Sequence, residues 1–480
     1  MKMKSDISTD ALQFAMELTY DKQNVIQKGL NASRALRFKR ATGRKNIPLV
    51  EVDDPGSESL GALSFVLRYS FGLLRYTFDD PWKIHRGFPS ARCLYPTECY
   101  IIVNCSIPGL ESGVYHFDPL SYALDVIGTG SHKLETGEIF GEDADSTTFV
   151  LVFGSEYWRL GEAYGNFAYT LALLEAGHAI EQVNLLVESV SWKPQILYSY
   201  SEKKLKNLLR LPLNEEGILG AVAVRNVSVL GSSENLYQPV DSTREPFWIQ
   251  STGLREGNCS RLQMFEEECQ SGGNSAIVPK QSVYLHTPRG SGDMATTTVG
   301  RNSGHGFHGI SGAPHALQSR QLDSFAGELM SLDSSHMPLA VYYVAIQAAD
   351  FSQGLYRFDS EFDRFALVEE NDYSDSLQSS FQYPFINLYS MIGVFFIFGS
   401  ILDAFEQFGP RGYRWLNLEA GRAAQRLGLH ASKEGLFMRP VKSFDEKRMI
   451  EMCKEYSLSP LYGLILGEST FHELHVDLRL

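Results

Sequence analysis

The chain repeats itself. GVYHFDPLSYAL from Gly113 resembles GLYRFDSEFDRFAL from Gly354, LEAGHAIEQ from Leu174 resembles LEAGRAAQR from Leu418, and FGS recurs at Phe153 and Phe398. The offsets are 241, 244 and 245 residues, in the same order along the chain. Self-similarity at one period marks a duplicated unit, here of roughly 240 residues. A chain built this way folds as two related halves. Between them, from about Gly231 to Val299, the texture changes: GSSENLYQPVDSTREP, QSGGNS and TPRGSGDMATTT are rich in Gly, Ser and Thr. That reads as a connection, too long for an ordinary loop and so expected to pack in part along a domain surface. The predicted division is an N-terminal segment (1–58), a first domain (59–231), a connector (232–294) and a degenerate second domain (295–480).

The repeat also interprets the segment from Pro384 to Leu402, 19 residues without a charge. Length alone would make it a membrane-span candidate. The repeat instead matches Phe149–Phe153 (FVLVF) to Val394–Phe398 (VFFIF), and both read as short buried strands followed by a Gly-Ser turn. No membrane span is expected. Strands are expected at Tyr100–Asn104, Gly113–Asp118, Phe149–Phe153, Ala221–Arg225, Ala340–Gln347, Gly354–Asp359 and Leu461–Leu466. The longest helix of each half is expected around Gly165–Val190 and Tyr413–Leu427. Strands and helices intermingle without strict alternation, which predicts an α+β fold.

Charge narrows the partners. The 43 Lys and Arg against 57 Asp and Glu leave a net charge of −14. Nucleic-acid binding relies on clustered cations, so a dedicated binder is not expected. A local basic pocket for one small phosphate is still compatible. The six cysteines, Cys93, Cys99, Cys105, Cys259, Cys269 and Cys453, are too few and scattered for a disulfide framework. No His or Asp clusters with the 93/99/105 ladder, so buried thiols are expected and no metal. The N-terminal MKMKSDISTDAL has no apolar run of the secretory kind, and a reduced, cytoplasmic setting is expected.

The most informative local stretch is FPSARCLYPTE, from Phe88 to Glu98. Pro89 fixes a bend. Ser90 and free backbone N–H groups in such a bend can donate to a ring or a phosphate. On its own it is also an ordinary loop entering a strand. Together with GVYHFDP and LEAGHAIEQVNLL it resembles the SagB-type flavin dehydrogenases of the nitroreductase superfamily, whose pattern is PSxGxLYPxExY, a GxYxYDP hairpin and LExGHxxQNL. Order and spacing match over Ser59–Asn226, and the second half resembles a degenerate copy.

The resemblance implies two nitroreductase-like domains forming an intramolecular pseudo-dimer, with FMN between them. It implies oxidation of thiazoline or oxazoline rings in a modified precursor peptide, usually beside a cyclodehydratase. In that superfamily an RRSxR stretch of one subunit meets the phosphate and the PS loop of the other meets the flavin. Here the second half carries Arg301-Asn302-Ser303-Gly304-His305, while Pro89-Ser90 of the first half falls on Met330-Ser331 in the second. One FMN site is therefore expected, built from Pro89, Ser90, Ala91, Leu94 and Tyr95 with Arg301, Ser303 and His305. Glu434 and Gly435, after the second long helix, are expected beside the flavin ring. Arg225 is expected at a phosphate, in the degenerate second site. The family's Lys-Tyr pair is replaced by Arg159 and Leu160. Arg does not act as a base, so Tyr157, His178 and Arg159 (as an anion stabiliser) are the candidate catalytic groups. Two rival readings stand beside this one: an NAD(P)H-dependent nitro or quinone reductase, and a non-catalytic peptide-binding component of a modifying complex. Further pairing of pseudo-dimers is left open.

Overall fold

The computed structural model describes residues 9–25, 38–39, 45–50, 55, 59–78, 84–141, 147–211, 216–225, 227, 238–239, 248, 260–271, 290–304, 309–332, 337–381, 383–470 and 475–478. The two halves form two antiparallel sheets of the same topology. In spatial order the first runs Asn46–Pro48, Ala123–Thr129, Gly113–Asp118, Thr97–Val103, Phe149–Glu156, Glu216–Arg225 and Lys193–Leu197, with Gln238–Pro239 also paired to Ala123–Thr129. The second runs Arg364–Glu370, Gly354–Asp359, Leu339–Ala345, Gly393–Gly399, Ser459–Gly467 and Phe437–Val441. Each strand of the second sheet stands where the repeat puts its counterpart. A small third sheet joins the halves: His475–Asp477, near the C-terminus, pairs with Arg75–Thr77, which pairs with Ile84–His85.

The apolar run from Pro384 resolves as the repeat predicts. Gly393–Gly399 is a fully buried strand in the middle of the second sheet. Just upstream, Ile386, Leu388 and Met391 fill one apolar cluster and Ile392 joins the other. Among the described residues no helix is long and apolar enough to cross a membrane.

The two long helices are Ala168–Ser189 and Pro410–Lys433. The first is buried nearly all round, as a helix enclosed on every side must be. The second begins three residues earlier than expected, because Pro410 suits the first helical position, and it runs on to Lys433. The helices pack on each other where Gly177 meets Gly421, the glycines of the two LEAG repeats. A Cβ on Gly177 would lie 2.2 Å from the Leu418 carbonyl oxygen, and one on Gly421 would lie 2.2 Å from that of Leu174. Only glycine permits this approach.

The connector is partly helical. Ser260–Ser271 packs through Phe265 against Phe14, Tyr169, Phe405 and Tyr413, touching both halves. The Gly-rich GSGDMATTT is not a loop: Ser291–Gly300 is a helix. The N-terminal helix Thr9–Tyr20 leads to Lys22, whose Nζ donates to the carbonyls of Lys442 and Phe444 in the second half.

Candidate active site

The turn at Pro89-Ser90 is followed by a single 3-10 turn, Ala91–Cys93. Arg92, Cys93 and Tyr95 all adopt left-handed backbone angles, with φ of 53°, 48° and 45°. Such conformations are costly for non-glycine residues and persist where surrounding structure imposes them. The clamp is visible. Ser90 Oγ accepts from the Tyr95 N–H at 2.8 Å and donates to Glu175 on the first long helix. Glu175 also accepts from the Thr97 N–H at 3.3 Å. Arg159 Nη1 donates to the Tyr95 carbonyl at 2.6 Å.

This loop forms one wall of a cavity of about 360 Å³ between the halves, within the range of small-molecule and cofactor sites. The first half contributes Pro89, Ser90, Ala91, Tyr95, Tyr164, Phe167, Leu171 and Glu175. The second contributes Arg301, Ser303, Gly304, Arg439, Lys442, Ser443 and Tyr462. Lys22 reaches in from the N-terminal segment and Arg75 from the small third sheet. The wall carries six cationic side chains, Lys22, Arg75, Arg92, Arg301, Arg439 and Lys442, against the single carboxylate Glu175. In a chain of net charge −14 this concentration is local and strong.

Arg301 is the sharpest feature. Its guanidinium is buried and donates to two main-chain carbonyls, Gly87 at 3.2 Å and Arg86 at 3.5 Å. No carboxylate among the described residues pairs with it. Burial, aided by neighbouring Arg75, pulls it down to about 10. A buried cation without a counter-ion, facing a cavity, is arranged to receive an anion.

Glu175 is the other perturbed group on the wall. Burial pushes its carboxyl up to about 7 against the pull of Ser90 and Thr97. The unfolded chain holds that proton only to about 4.5, so the associated stability is full below 4.5 and lost as pH rises through 7. The loss amounts to about 3 kcal/mol. Glu175→Gln removes this slope. The stability of wild type relative to the variant is expected to fall by about that amount between pH 4.5 and pH 8. A difference independent of pH in unfolding measurements would contradict the assignment.

Several predicted residues lie elsewhere. Pro89, Ser90, Ala91, Tyr95, Arg301 and Ser303 share the cavity wall; Leu94 does not reach it, and His305 lies outside the described residues. Arg159 is sealed behind the loop, paired with Glu98 and Glu156. Burial opposes its charge, but the two carboxylates hold it protonated. Tyr157 donates to Glu266 at 2.7 Å, and burial raises its phenol well above the usual range. His178 sits in the helix–helix contact, its ring 2.8 Å from Gln425 Oε1 and 3.3 Å from the Tyr462 hydroxyl. Burial lowers it to about 3, so it stays neutral. The Glu434 and Gly435 amides cap the second long helix, donating to the carbonyls of His430 and Ser432. Arg225 ends its strand opposite Lys193, away from the cavity. Glu175, Lys22, Arg75, Arg439, Lys442 and Tyr462 were not among the expected site residues.

The repeat places a counterpart on the opposite side of the helix pair. There Ser331, Glu419, Arg422 and Tyr198 take the places of Ser90, Glu175, His178 and Lys442. These groups close on one another. Tyr198 donates to Glu419, and Arg422 reaches Glu419 at 2.8 Å and Glu181 at 2.8 Å. Arg426 bridges Glu181 and Ser331, each at 2.6 Å. All four charged side chains are buried. Salt bridges fill the second position, whereas the first holds an open volume.

Comparison with known proteins agrees with this architecture. The chain matches no protein-family profile. It is 25% identical over 142 residues to the Microcin B17-processing protein McbC of Escherichia coli, covering 28% of this chain. It is 25% identical over 134 residues to the candidate nitroreductase MJ1384 of Methanocaldococcus jannaschii, covering 26% of this chain. The matched stretches span 52% of the length of McbC and 66% of that of MJ1384. A solved structure of a candidate nitroreductase from Anabaena variabilis superposes with a TM-score of 0.77 at 19% identity, covering 96% of this chain and 99% of that one. The likeness spans both halves, and the chain is an α+β protein that carries the nitroreductase fold twice in one polypeptide.

Proposed function

We propose that the chain is an FMN-dependent oxidoreductase that holds one flavin between its halves and oxidises thiazoline or oxazoline rings of a modified peptide to azoles. The observation that carries the cofactor assignment is the buried, carboxylate-free Arg301 facing a cavity that the Pro89-Ser90 loop closes from the other half. The residues suit FMN. Arg301 and Ser303 would hold its phosphate, with Arg75 and Arg439 adding positive charge. Pro89, Ser90, Ala91 and Tyr95 would fix the ring, and Tyr164, Phe167 and Leu171 would exclude water. Bound FMN supplies a two-electron hydride acceptor. Tyr383 lines the cavity and lies 5.0 Å, ring to ring, from the exposed Phe385. This aromatic lip suits a peptide-like substrate.

The likeness to the Microcin B17-processing protein supports a peptide substrate; work beside a cyclodehydratase belongs to the same proposal. The scattered cysteines, five of them free thiols among the described residues, support a cytoplasmic setting. The test is incubation of the purified protein with an azoline-bearing peptide under air. Loss of two hydrogens per ring by mass spectrometry is the expected result, and an unchanged peptide with fully loaded protein would refute the substrate class. The burial of Arg159 among carboxylates favours a second reading, a reductase using NAD(P)H, because the family's Lys-Tyr position then supplies no base. Rapid flavin bleaching by NADPH would select it.

A further inference from the structure

The proposed oxidation needs a group that accepts a proton, and the expected candidates do not supply one. Arg159 is locked between carboxylates, Tyr157 is bound to Glu266, and His178 is enclosed between the helices. On the cavity wall Glu175 is committed to holding the Pro89-Ser90 loop, one oxygen bound by Ser90 and the other by the Thr97 N–H. Lys442 remains. It lies at the end of the strand Phe437–Val441, is buried, and faces the cavity.

Its surroundings are electrostatically unbalanced. Glu446 lies 2.5 Å from Lys22 Nζ and 3.5 Å from Lys442 Nζ, so two ammonium groups share one carboxylate. Lys22 has three acceptors: Glu446, the Lys442 carbonyl at 2.5 Å and the Phe444 carbonyl at 2.9 Å. Two of these are main-chain hydrogen bonds and the third is the close ion pair. Lys442 has one close acceptor, the Pro460 carbonyl at 2.7 Å. Glu446 is the buried carboxylate beside the pair; Asp445 also acts on Lys22, but it is half-exposed and faces Arg448. Of two buried amines, the one that sheds a proton most cheaply is the one with fewer acceptors. The other polar and charged groups around the pair include Asp445, which acts on Lys22, Tyr20 from the N-terminal helix, Tyr462 from the neighbouring strand, Arg439 on the strand that leads to Lys442 and Glu175 across the cavity. None adds a second carboxylate close to Lys442 Nζ.

We propose that Lys442 is the proton acceptor of the cavity, serving the oxidation in place of the family's Lys-Tyr pair. This rests on the oxidoreductase reading above. One substrate carbon loses a hydride to the enclosed flavin-class acceptor. Its neighbour loses a proton to the neutral Lys442 amine, which becomes an ammonium. The electron pair of that broken C–H bond forms the new double bond; dioxygen then takes up the two electrons and the hydrogen carried as hydride, and with the proton released from the Lys442 ammonium it leaves as hydrogen peroxide. Burial and the adjacent Lys22 lower the Lys442 ammonium to about 7, which leaves a usable fraction of free amine at neutral pH.

Two measurements test this. The first follows the side-chain ε-carbon signals of lysine-labelled protein by NMR against pH, with Lys442 assigned by its absence in Lys442→Gln. A midpoint near 7 is expected, and a midpoint near the ordinary lysine value overturns the proposal. The second compares pH profiles of kcat/KM after flavin content has been equalised by measurement. Lys442→Gln and Lys442→Arg are both expected to lose roughly 100-fold or more and the rising limb near 7, with flavin retention unchanged. Rescue by arginine would show anion binding instead, and loss of flavin from the glutamine variant would show a cofactor-holding role; either overturns the proposal. A midpoint near 7 with no turnover of any azoline peptide by wild type refutes the substrate reading and leaves the amine state standing.

Discussion

On the proposed cofactor assignment, replacing Arg301 with alanine is expected to strip FMN from the purified chain. The guanidinium bonds only to the Gly87 and Arg86 carbonyls among the described residues, and it carries its charge into the cavity without a carboxylate. Charge-assisted hydrogen bonds to such a group contribute about 1.5–3 kcal/mol. Losing them weakens binding roughly 10- to 150-fold. The variant also gives up its two carbonyl contacts, so the melting temperature has to be recorded alongside. A folded variant that elutes colourless and rebinds FMN weakly is the expected outcome. Unchanged flavin content would remove the phosphate role of Arg301 and with it the cross-domain site.

The second large effect is expected at the crossing of the two long helices. Gly177→Leu places a side chain where a Cβ alone already lies 2.2 Å from the Leu418 carbonyl oxygen and 2.9 Å from the Gly421 Cα. Both obstacles are backbone, so no rotamer change relieves them. Overpacking costs about 1–3 kcal/mol and occasionally more, and a backbone clash belongs at the upper end. Leu171 and Glu175 of the first helix line the cavity, so ligand retention is expected to fall together with the melting temperature. Gly421→Leu should behave alike, since the repeat makes the two positions equivalent. Gly327→Ala, on a helix where an added Cβ meets nothing within 4 Å, is the control and should hold or gain stability. Equal melting temperatures for Gly177→Leu and the control would contradict the account of this interface.

Much of the fold was legible in the sequence because the repeat is a physical constraint. Matching GVYHFDP to GLYRFDS and FVLVF to VFFIF assigned strand to strand, and it turned an apparent membrane span into a sheet interior. The meeting of Pro89-Ser90 with Arg301 and Ser303 was legible for a related reason. Each half lacks the element that the other retains, and a shared cavity uses both.

What escaped the sequence depends on distances between segments remote along the chain. Lys22 and Arg75 reach the cavity because the N-terminal helix and a three-residue strand fold across the halves, and neither carries a motif. Glu434 and Gly435 looked like a free loop, yet helix termination uses their amides. Lys442 and Ser443, just beyond the next strand, line the cavity in their stead. Arg159 took the place of a catalytic lysine in the motif, but Glu98 and Glu156 fold in behind it. Glu175 stood inside the LEAGH segment, where its buried position could be inferred but its bond to Ser90 could not.

The proposed site holds one flavin between two unequal halves. Arg422, Arg426, Glu181 and Glu419 fill the counterpart position with mutual salt bridges, so among the described residues the first of these two positions is the open one. The direct measurement is the visible spectrum of the purified protein saturated with FMN, with bound flavin quantified against chain concentration. One flavin per chain is the predicted result. A chain that takes up none, or two, would contradict it.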